Sequence, residues 1–233
     1  HRDLHSFPTR RSSDLAPHDW FPHLSLLYHR QYADFGMGWY GMYGGDDSLQ
    51  FHNTEDWTNE EVLFDDYISA QILMGEAGFL WPDVFRPVRQ RVAYIGRLYY
   101  RMHAFNEQVF GKAFADFEYE GDSLSRTKAT YDDGTRVWVN RGEGLWNVEG
   151  RLLPHWGFWF EGNDSKGGHW LPEGRQKPVD FVQNHREIYA DGRGRVLNFD
   201  AVTTDGPIAL WRRNSGELDR KSTRLNSSHV SQS

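Results

Sequence analysis

The residues best suited to recognising a ligand lie close together, starting at His29. His29 ends a short apolar run. In the glycine-rich stretch that follows come one carboxylate and three aromatic residues, Asp34, Trp39, Tyr40 and Tyr43. Imidazole and carboxylate groups hydrogen-bond hydroxyl groups, and flat aromatic rings stack on the C–H face of a sugar. This set is typical of a sugar-binding cleft, although a histidine in such a place is more often a packing residue and the rings could equally pack beneath the loop.

A run of acidic residues follows and has two interpretations. Its members are Glu55, Asp56, Glu60, Glu61, Asp65 and Asp66. They could supply catalytic carboxylates or bind calcium, but acidic side chains at the start of a helix also stabilise its dipole, and we favour that interpretation. DFEYEGD lacks the spacing of a calcium loop, and the chain has no Gly-x-Ser-x-Gly motif and no cysteine. The sequence therefore identifies no catalytic residue and predicts no metal site and no cofactor.

Composition excludes two classes of partner. The 33 Asp and Glu residues outnumber the 26 Lys and Arg residues and give a net charge of −7, whereas nucleic-acid binding needs a basic surface. No apolar run approaches the roughly 20 residues of a membrane-spanning helix. We therefore expect no nucleic-acid partner and no membrane span. The cellular location stays open, and a secreted or periplasmic location is compatible with the sequence.

The first half of the chain predicts one strand and two helices. HLSLLYHR, residues 23–30, is a short apolar run that predicts a buried strand. TEDWTNEEVLFDDYISAQILMG predicts a helix capped by Thr58 and stopped by Gly75. From Asp83 to Phe110, apolar residues recur every three or four positions with arginines on the opposite side, and Gly111 follows.

The second half predicts antiparallel strands, because the hydrophobic period changes from 3.6 to 2. RTKATYDDGTRVWVNR predicts a hairpin that turns at Asp133-Gly134, with Val137 and Val139 on one face and Trp138 on the other. Further strand candidates are FADFEYE, WNVEGRLL, GFWFEG, VDFVQN, EIYAD and IALWRR. Many short strands without intervening helices indicate a β-sandwich or a similar module.

Several of these segments resemble the C-terminal region of large bacterial glycoside hydrolases, in which a (β/α)8 barrel precedes a β-sandwich. The pattern is a Tyr-x-Asp-Gly turn, then Val-x-Val-Asn, then Leu-Pro-x-x-Gly-Phe. It falls on Tyr131, Asp133, Gly134, Val137, Val139, Asn140, Leu153, Pro154, Gly157 and Phe158. Upstream, LSLLYHR resembles the last barrel strand, and DDYISAQILMGEAGFL resembles the final barrel helix. Arg30 stands where the resemblance leads us to expect Asp.

The resemblance implies an α+β fragment. Residues 16–111 would be the helical remnant of a TIM-barrel end, and residues 112–218 an antiparallel β-sandwich. The substrate would be an oligosaccharide or polysaccharide, with His29 and the loop residues after it contributing subsites. Glycoside cleavage needs a pair of carboxyl groups, which barrel enzymes carry at the ends of different strands. We therefore expect the catalytic pair on a missing N-terminal barrel, an inactive isolated chain, and an exposed apolar face on the helix Asp83–Phe110.

Both ends of the chain have a different character. HSFPTRRSSDL near the start and DRKSTRLNSSH near the end resemble in-frame translations of sequencing adapters. Residues 1–15 and 219–233 are accordingly predicted to be artefact tails and are excluded from the fold prediction.

Two other functions remain open. The chain could be a non-catalytic carbohydrate-binding or adhesion protein with a lectin-like sandwich. Solvent-facing Trp138, Trp156 and Trp159 would favour that function, whereas aromatic residues converging on His29 would favour a hydrolase cleft. The β-domain could also serve only to support the barrel.

Overall fold

The computed structural model describes residues 23–31, 57–77, 88–199, 202–212 and 218–220 of the chain. Within these residues three helices precede the strands: α1 (His23–Tyr28), α2 (Trp57–Met74) and α3 (Val88–Val109). None of the three described helices combines the length and the hydropathy that a membrane crossing requires.

The prediction of a buried strand at His23–Arg30 is wrong. These residues form α1 and then a turn in which the Gln31 N–H donates to the carbonyl oxygen of Tyr28 at 2.7 Å. Leucine favours helices, and a short apolar run does not by itself distinguish a helix from a strand. Leu27 and Tyr28 are 68% and 44% exposed, so the segment lacks the two buried faces of a barrel strand.

The helix predicted before Gly75 is confirmed as α2, and its second half is buried. Every side chain from Phe64 to Met74 is buried, including polar ones. Gly75 follows with a φ of +70°, which favours glycine. A side chain at Gly75 would also collide with the ring of His29. The end of α2 therefore lies directly against the segment that follows α1.

The second predicted helix is confirmed as α3 over its described residues. It ends at Val109, and Gly111 has a φ of +69°, as expected for a helix stop. Residues 83–87, where we predicted its first turn, lie outside the described residues.

The apolar residues of α3 are divided between two sides of the helix. Ile95 and Tyr99, which belong to the predicted apolar stripe, are 53% and 43% exposed. The inward stripe instead contains Leu98, Arg101 and Phe105, spaced by three and four residues. The expectation that the arginines face outward is thus wrong for Arg101, which is fully buried.

Thirteen strands follow within the described residues. They are β1 (Phe114–Glu120), β2 (Ser123–Tyr131), β3 (Arg136–Asn140), β4 (Trp146–Val148), β5 (Arg151–Leu153), β6 (Gly157–Glu161), β7 (Ser165–Trp170), β8 (Val179–Asn184), β9 (Glu187–Asp191), β10 (Leu197–Phe199), β11 (Val202–Thr204), β12 (Ile208–Arg212) and β13 (Leu218–Arg220). Nine form one sheet in the order β1-β2-β3-β6-β7-β8-β9-β12-β13, while β4-β5 and β10-β11 are separate hairpins. Every pairing is antiparallel. The sheet is therefore a meander with two inserted hairpins.

The predicted hairpin at Asp133-Gly134 is confirmed as β2-β3. The Thr135 N–H donates to Asp133 Oδ1 at 2.9 Å, and Gly134 has a φ of +85°. Val137 and Trp138 belong to different apolar clusters, because successive side chains of a strand point to opposite faces.

The sheet packs on both of its faces. On the helix face, α2 and α3 cover the side chains Val137, Val139, Phe158, Phe160, Val182 and Tyr189. On the hairpin face, the two inserted hairpins share a cluster with Trp138, Trp159, Trp170, Phe181, Ile188 and Leu210. Because both faces are covered, the central strands are buried on both sides.

The fold class is confirmed as α+β with an antiparallel sheet, and helix gives way to strand after Gly111 as expected. The second layer of the predicted sandwich consists of two hairpins instead of a second full sheet. Strand β7 was missed because SKGGHW lacks an alternating pattern. Its Gly168 is required by packing, since a side chain there would collide with the carbonyl oxygen of Phe158.

Strand β13 completes one edge of the sheet. It pairs with β12 through Leu210 and Arg220, Trp211 and Asp219, and Arg212 and Leu218. The strand thus includes the first two residues of the segment predicted to be an artefact tail.

Candidate functional site

Among the described residues, five charged or ionisable side chains meet between the helices and the sheet, and we call this group the Asp65 cluster. Its members come from five different elements or loops: Asp65 on α2, Arg101 on α3, His169 on β7, Asp180 on β8 and Arg193 after β9. The strand residues point to the helix face because their neighbours, such as Trp170 and Phe181, point to the hairpin face. All five side chains are at most 9% exposed.

Two guanidinium groups enclose the two carboxylates of the cluster. Arg193 donates to both oxygens of Asp65, each at 2.7 Å, and its Nε donates to Asp180 Oδ2 at 2.9 Å. Arg101 Nη1 donates to Asp65 Oδ1 at 2.6 Å, and its Nε lies 3.2 Å from Asp180 Oδ1. Two positive charges thus balance two negative charges in a buried site, which is the condition for burying them.

His169 completes the cluster as a neutral hydrogen-bond donor. Its Nδ1 lies 2.8 Å from Asp180 Oδ1, and a carboxylate only accepts, so Nδ1 carries the proton. Burial, reinforced by Arg193, lowers the pKa of His169. The imidazole therefore links β7 to β8 without adding a third positive charge.

The carboxylates of the cluster are held ionised. Burial alone would raise the pKa of Asp65, but the guanidinium groups of Arg193 and Arg101 outweigh it and hold the pKa well below its usual range. Against the same effect of burial, Arg101 and Arg193 lower the pKa of Asp180. A general acid needs a proton to donate at working pH, so this pair is unsuited to protonating a leaving group. Its geometry fits a structural role, which is to fix the helices on the sheet.

Asp191 has the opposite pKa shift. It is the register partner of Asp180 across β8 and β9. Burial raises the pKa of Asp191 in spite of Arg97, whose Nε donates to Asp191 Oδ2 at 3.2 Å, and the charge of Asp180 raises it further. Opposed shifts are a mark of acid–base pairs. Both carboxyl groups are nevertheless completely buried, which keeps a substrate from reaching them.

His29, predicted as a substrate-binding residue, is buried. Its Nδ1 lies 2.7 Å from the carbonyl oxygen of Lys112, and its Nε2 lies 2.9 Å from that of Gly75. Its ring also packs edge-on against Phe114 and Tyr131, with centroids 5.4 Å apart in both cases. These contacts join the segment after α1 to the end of α2 and the start of β1. Sugar binding by His29 stays a prediction beside this structural role.

The other predicted site residues lie outside the described residues. They are Asp34, Trp39, Tyr40 and Tyr43, and the structure makes no statement about their convergence on His29.

The dipole interpretation of the acidic run is wrong for Asp65 and Asp66. Both lie in the third turn of α2, beyond the reach of the helix N-terminus. Asp65 belongs to the charge cluster, and Asp66 forms a 2.8 Å ion pair with Arg141, whose Nη1 also donates to Ser69 Oγ at 3.0 Å. Two adjacent aspartates inside the apolar string LFDDYI were the signal for buried ion pairs.

The described residues outline one apolar groove along the outer side of α3. This α3 groove has a volume of about 570 Å³ and is lined by Ile95, Leu98, Tyr99, Met102 and Phe110, among others. Phe110 is 71% exposed. The prediction of an exposed apolar face on this helix is confirmed.

A second cavity lies on the hairpin face, between β4-β5 and β10, and we call it the hairpin cleft. It has a volume of about 420 Å³. Its lining includes Asn147, Arg151, Trp170, Glu173, Leu197 and Asn198. Polar groups of both charges thus surround an aromatic and aliphatic floor.

The tryptophans that were to distinguish a binding module are mostly internal. Trp138 and Trp159 are 5% and 1% exposed and pack under the hairpins. Trp156 is half-buried and contacts the ring of His155, with centroids 3.9 Å apart, and the guanidinium of Arg141 at 5.0 Å. Trp138 and Trp159 thus offer no free indole face to a sugar.

Comparisons with protein-family models, with curated proteins and with solved structures give no match to this chain.

Proposed function

We propose that this chain is the C-terminal part of a bacterial glycoside hydrolase, comprising the helical end of a (β/α)8 barrel and its C-terminal β-domain. The substrate is an oligosaccharide or polysaccharide. The carboxylate pair that cleaves it lies on the barrel upstream, and the loop that contains Asp34, Trp39, Tyr40 and Tyr43 contributes subsites. This chain by itself is inactive.

The observation that carries the proposal is the junction at Asn140. The motifs Val-x-Val-Asn and Leu-Pro-x-x-Gly-Phe are separate in sequence, yet Asn140 Nδ2 donates to the carbonyl oxygens of Leu153 and Pro154 at 2.9 and 3.0 Å. Gly157 is needed in the same turn, because a side chain there would collide with Pro154. The two motifs that carry the resemblance to glycoside hydrolases thus meet in one structural unit.

The Asp65 cluster supports the assignment of catalysis to the barrel. Asp65 and Asp180 form a buried pair of carboxylates, and both are engaged by two arginines. Glycoside hydrolases need one carboxyl group with a raised pKa and access to the glycosidic oxygen. The cluster has neither property.

The α3 groove supports the position of the missing barrel. Ile95, Tyr99 and Phe110 expose apolar surface on the side of α3 that faces away from the sheet. Apolar patches of this kind mark surfaces that another protein element covers. We assign the groove to the contact with the barrel.

The decisive test compares this chain with a longer protein that includes the upstream reading frame of the same gene. Both are assayed on a panel of 4-nitrophenyl glycosides and, by reducing-end release, on soluble polysaccharides. We expect hydrolysis by the longer protein only. Robust turnover by this chain alone would refute the missing-barrel assignment, and sugar binding without hydrolysis by the longer protein would favour the lectin-like alternative.

The subsite assignment has its own test in the longer protein. Asp34→Ala and Trp39→Ala should each raise KM about tenfold, because each removes one hydrogen-bonding or stacking contact with the sugar. Asp122→Ala, at an exposed β1-β2 turn, is the matched control and should leave kcat and KM unchanged. If all three variants had the same kcat and KM, the loop would not be part of the binding site.

A further inference from the structure

We propose that the hairpin cleft is a second carbohydrate-binding site, which takes a short neutral oligosaccharide on the side of the sheet opposite the helices. Its described lining residues are different from those predicted as subsites. The choice of a sugar over another neutral polyhydroxylated ligand rests on the proposed function.

The walls of the cleft are anchored before any ligand arrives. The β4-β5 hairpin is tied to the end of β7 by the Leu171 N–H, which donates to the carbonyl oxygen of Leu152 at 2.7 Å. On the opposite wall, Leu197 of β10 is buried in the same apolar cluster as Trp159 and Trp170. A preformed cleft binds with little ordering cost.

The guanidinium of Arg151 is fixed as a donor at the cleft. It stacks on the indole of Trp159, 4.1 Å from the ring centroid. A guanidinium that lies over a ring keeps its N–H groups, which lie in its own plane, for hydrogen bonds. Among the described residues the side chain of Arg151 has no hydrogen-bond or ion-pair partner, so these donors are available to hydroxyl groups of a ligand.

The remaining polar groups complete a set suited to hydroxyl groups. Asn147, Glu173 and Asn198 line the cleft and are exposed. Asn147 Oδ1 accepts from the Gly150 N–H at 3.2 Å, which orients its amide within the β4-β5 turn. Donors and acceptors are both present, and the charges of Arg151 and Glu173 offset each other, which favours an uncharged ligand over an anion or a cation.

Size and floor agree with a sugar. A volume of about 420 Å³ falls within the range of roughly 300–1,000 Å³ that is usual for small-molecule sites. The apolar floor includes Leu152, Leu171 and Pro172, which are half-buried, while Trp170 beneath them is only 6% exposed and packs edge-on against Trp159 at 5.4 Å. An apolar floor under a polar rim matches the amphipathic surface of a pyranose.

The test measures binding of four neutral tetrasaccharides to this chain by isothermal titration calorimetry: maltotetraose, cellotetraose, xylotetraose and mannotetraose. Tetragalacturonate serves as the charged comparison. The double variant Glu173→Ala/Asn198→Ala removes two exposed polar groups of the cleft. Its matched control, Glu143→Ala/Asn163→Ala, removes an exposed glutamate and an exposed asparagine elsewhere, and thermal denaturation checks that both variants fold.

We expect at least one neutral tetrasaccharide to bind, with affinity reduced about tenfold or more in the cleft variant and within about twofold of the original in the control. The proposal is overturned if no neutral tetrasaccharide binds, if both variants bind equally well, or if tetragalacturonate binds more tightly than the neutral sugars. Hydrolysis by the longer protein is a separate measurement, so failure here is distinguishable from failure of the proposed function.

Discussion

The two faces of the sheet are buried by different means. The helix face carries charged and polar groups from α2, α3 and the strands, and the Asp65 cluster joins them by directional hydrogen bonds, of which the shortest is 2.6 Å. The hairpin face is an aromatic and aliphatic layer in which Trp138, Trp159 and Trp170 pack beneath β4-β5 and β10-β11.

The two faces therefore hold the elements that cover the sheet in place by different interactions. Apolar contacts are non-directional and tolerate changes of shape that keep the volume. A buried ion pair is strongly geometric, and removing one partner leaves an uncompensated charge. We therefore expect the helix face to be intolerant of nearly isosteric changes that the hairpin face accepts.

The largest effect is expected for Asp65→Asn. This change keeps the size of the side chain but leaves the buried guanidinium of Arg193 without half of its counter-charge, which should cost about 3–5 kcal/mol of unfolding free energy. Urea denaturation measures it, with Asp122→Ala as the exposed control. A loss below about 1 kcal/mol would remove the distinction between the faces.

A smaller effect is expected from pH. The pKa of His169 is lower in the folded protein than in the unfolded chain, so protonation favours unfolding and stability falls as the pH drops below about 6.5. The slope for one proton is at most about 1.4 kcal/mol per pH unit. The lowered pKa values of Asp65 and Asp180 add a further loss below about pH 4.

The variant His169→Gln should abolish the loss between pH 6.5 and pH 5 while keeping the loss below about pH 4. His185→Gln, at an exposed position, should behave like the unmodified chain. Urea titrations at each pH provide the measurement. An unchanged slope in His169→Gln would show that His169 does not couple stability to pH.

The smallest effect is expected for Leu153→Met on the hairpin face. Leu153 is fully buried in the apolar cluster, and this change nearly conserves volume, so we expect a cost below about 1.5 kcal/mol. The same urea experiment measures it. A cost equal to that of Asp65→Asn would mean that both faces depend on shape to the same degree.

The sequence predicted the elements that are marked by a pattern among neighbouring residues. The β2-β3 hairpin combines strict alternation with an Asp-Gly turn, and Gly75 and Gly111 mark helix ends by their positive φ. Strand β7 was not predicted because Gly167 and Gly168 have no side chains and interrupt the alternation of apolar and polar residues that indicates a strand. Segment 23–30 was wrongly predicted as a strand because its apolar run is too short to distinguish the helical period of 3.6 residues from the strand period of 2.

The sequence did not predict which charged side chains contact each other, because the partners are distant in the chain. Asp65 and Arg193 are 128 positions apart, and nothing in either neighbourhood identifies the other. Besides the aspartates of LFDDYI, Arg101 offered a clue, since it falls in register with Leu98 and Phe105 on the inner side of α3. An arginine within an apolar stripe requires a buried carboxylate, and the aspartates of LFDDYI were the available partners.

The topology of the two hairpins has an evolutionary consequence. Each leaves the meander from one strand and returns to the adjacent one, β3 to β6 and β9 to β12. Insertions, deletions or exchanges within them therefore leave strand order and register untouched. The residues that line the hairpin cleft, and with them its ligand specificity, can therefore change in evolution while the nine-stranded sheet beneath stays the same.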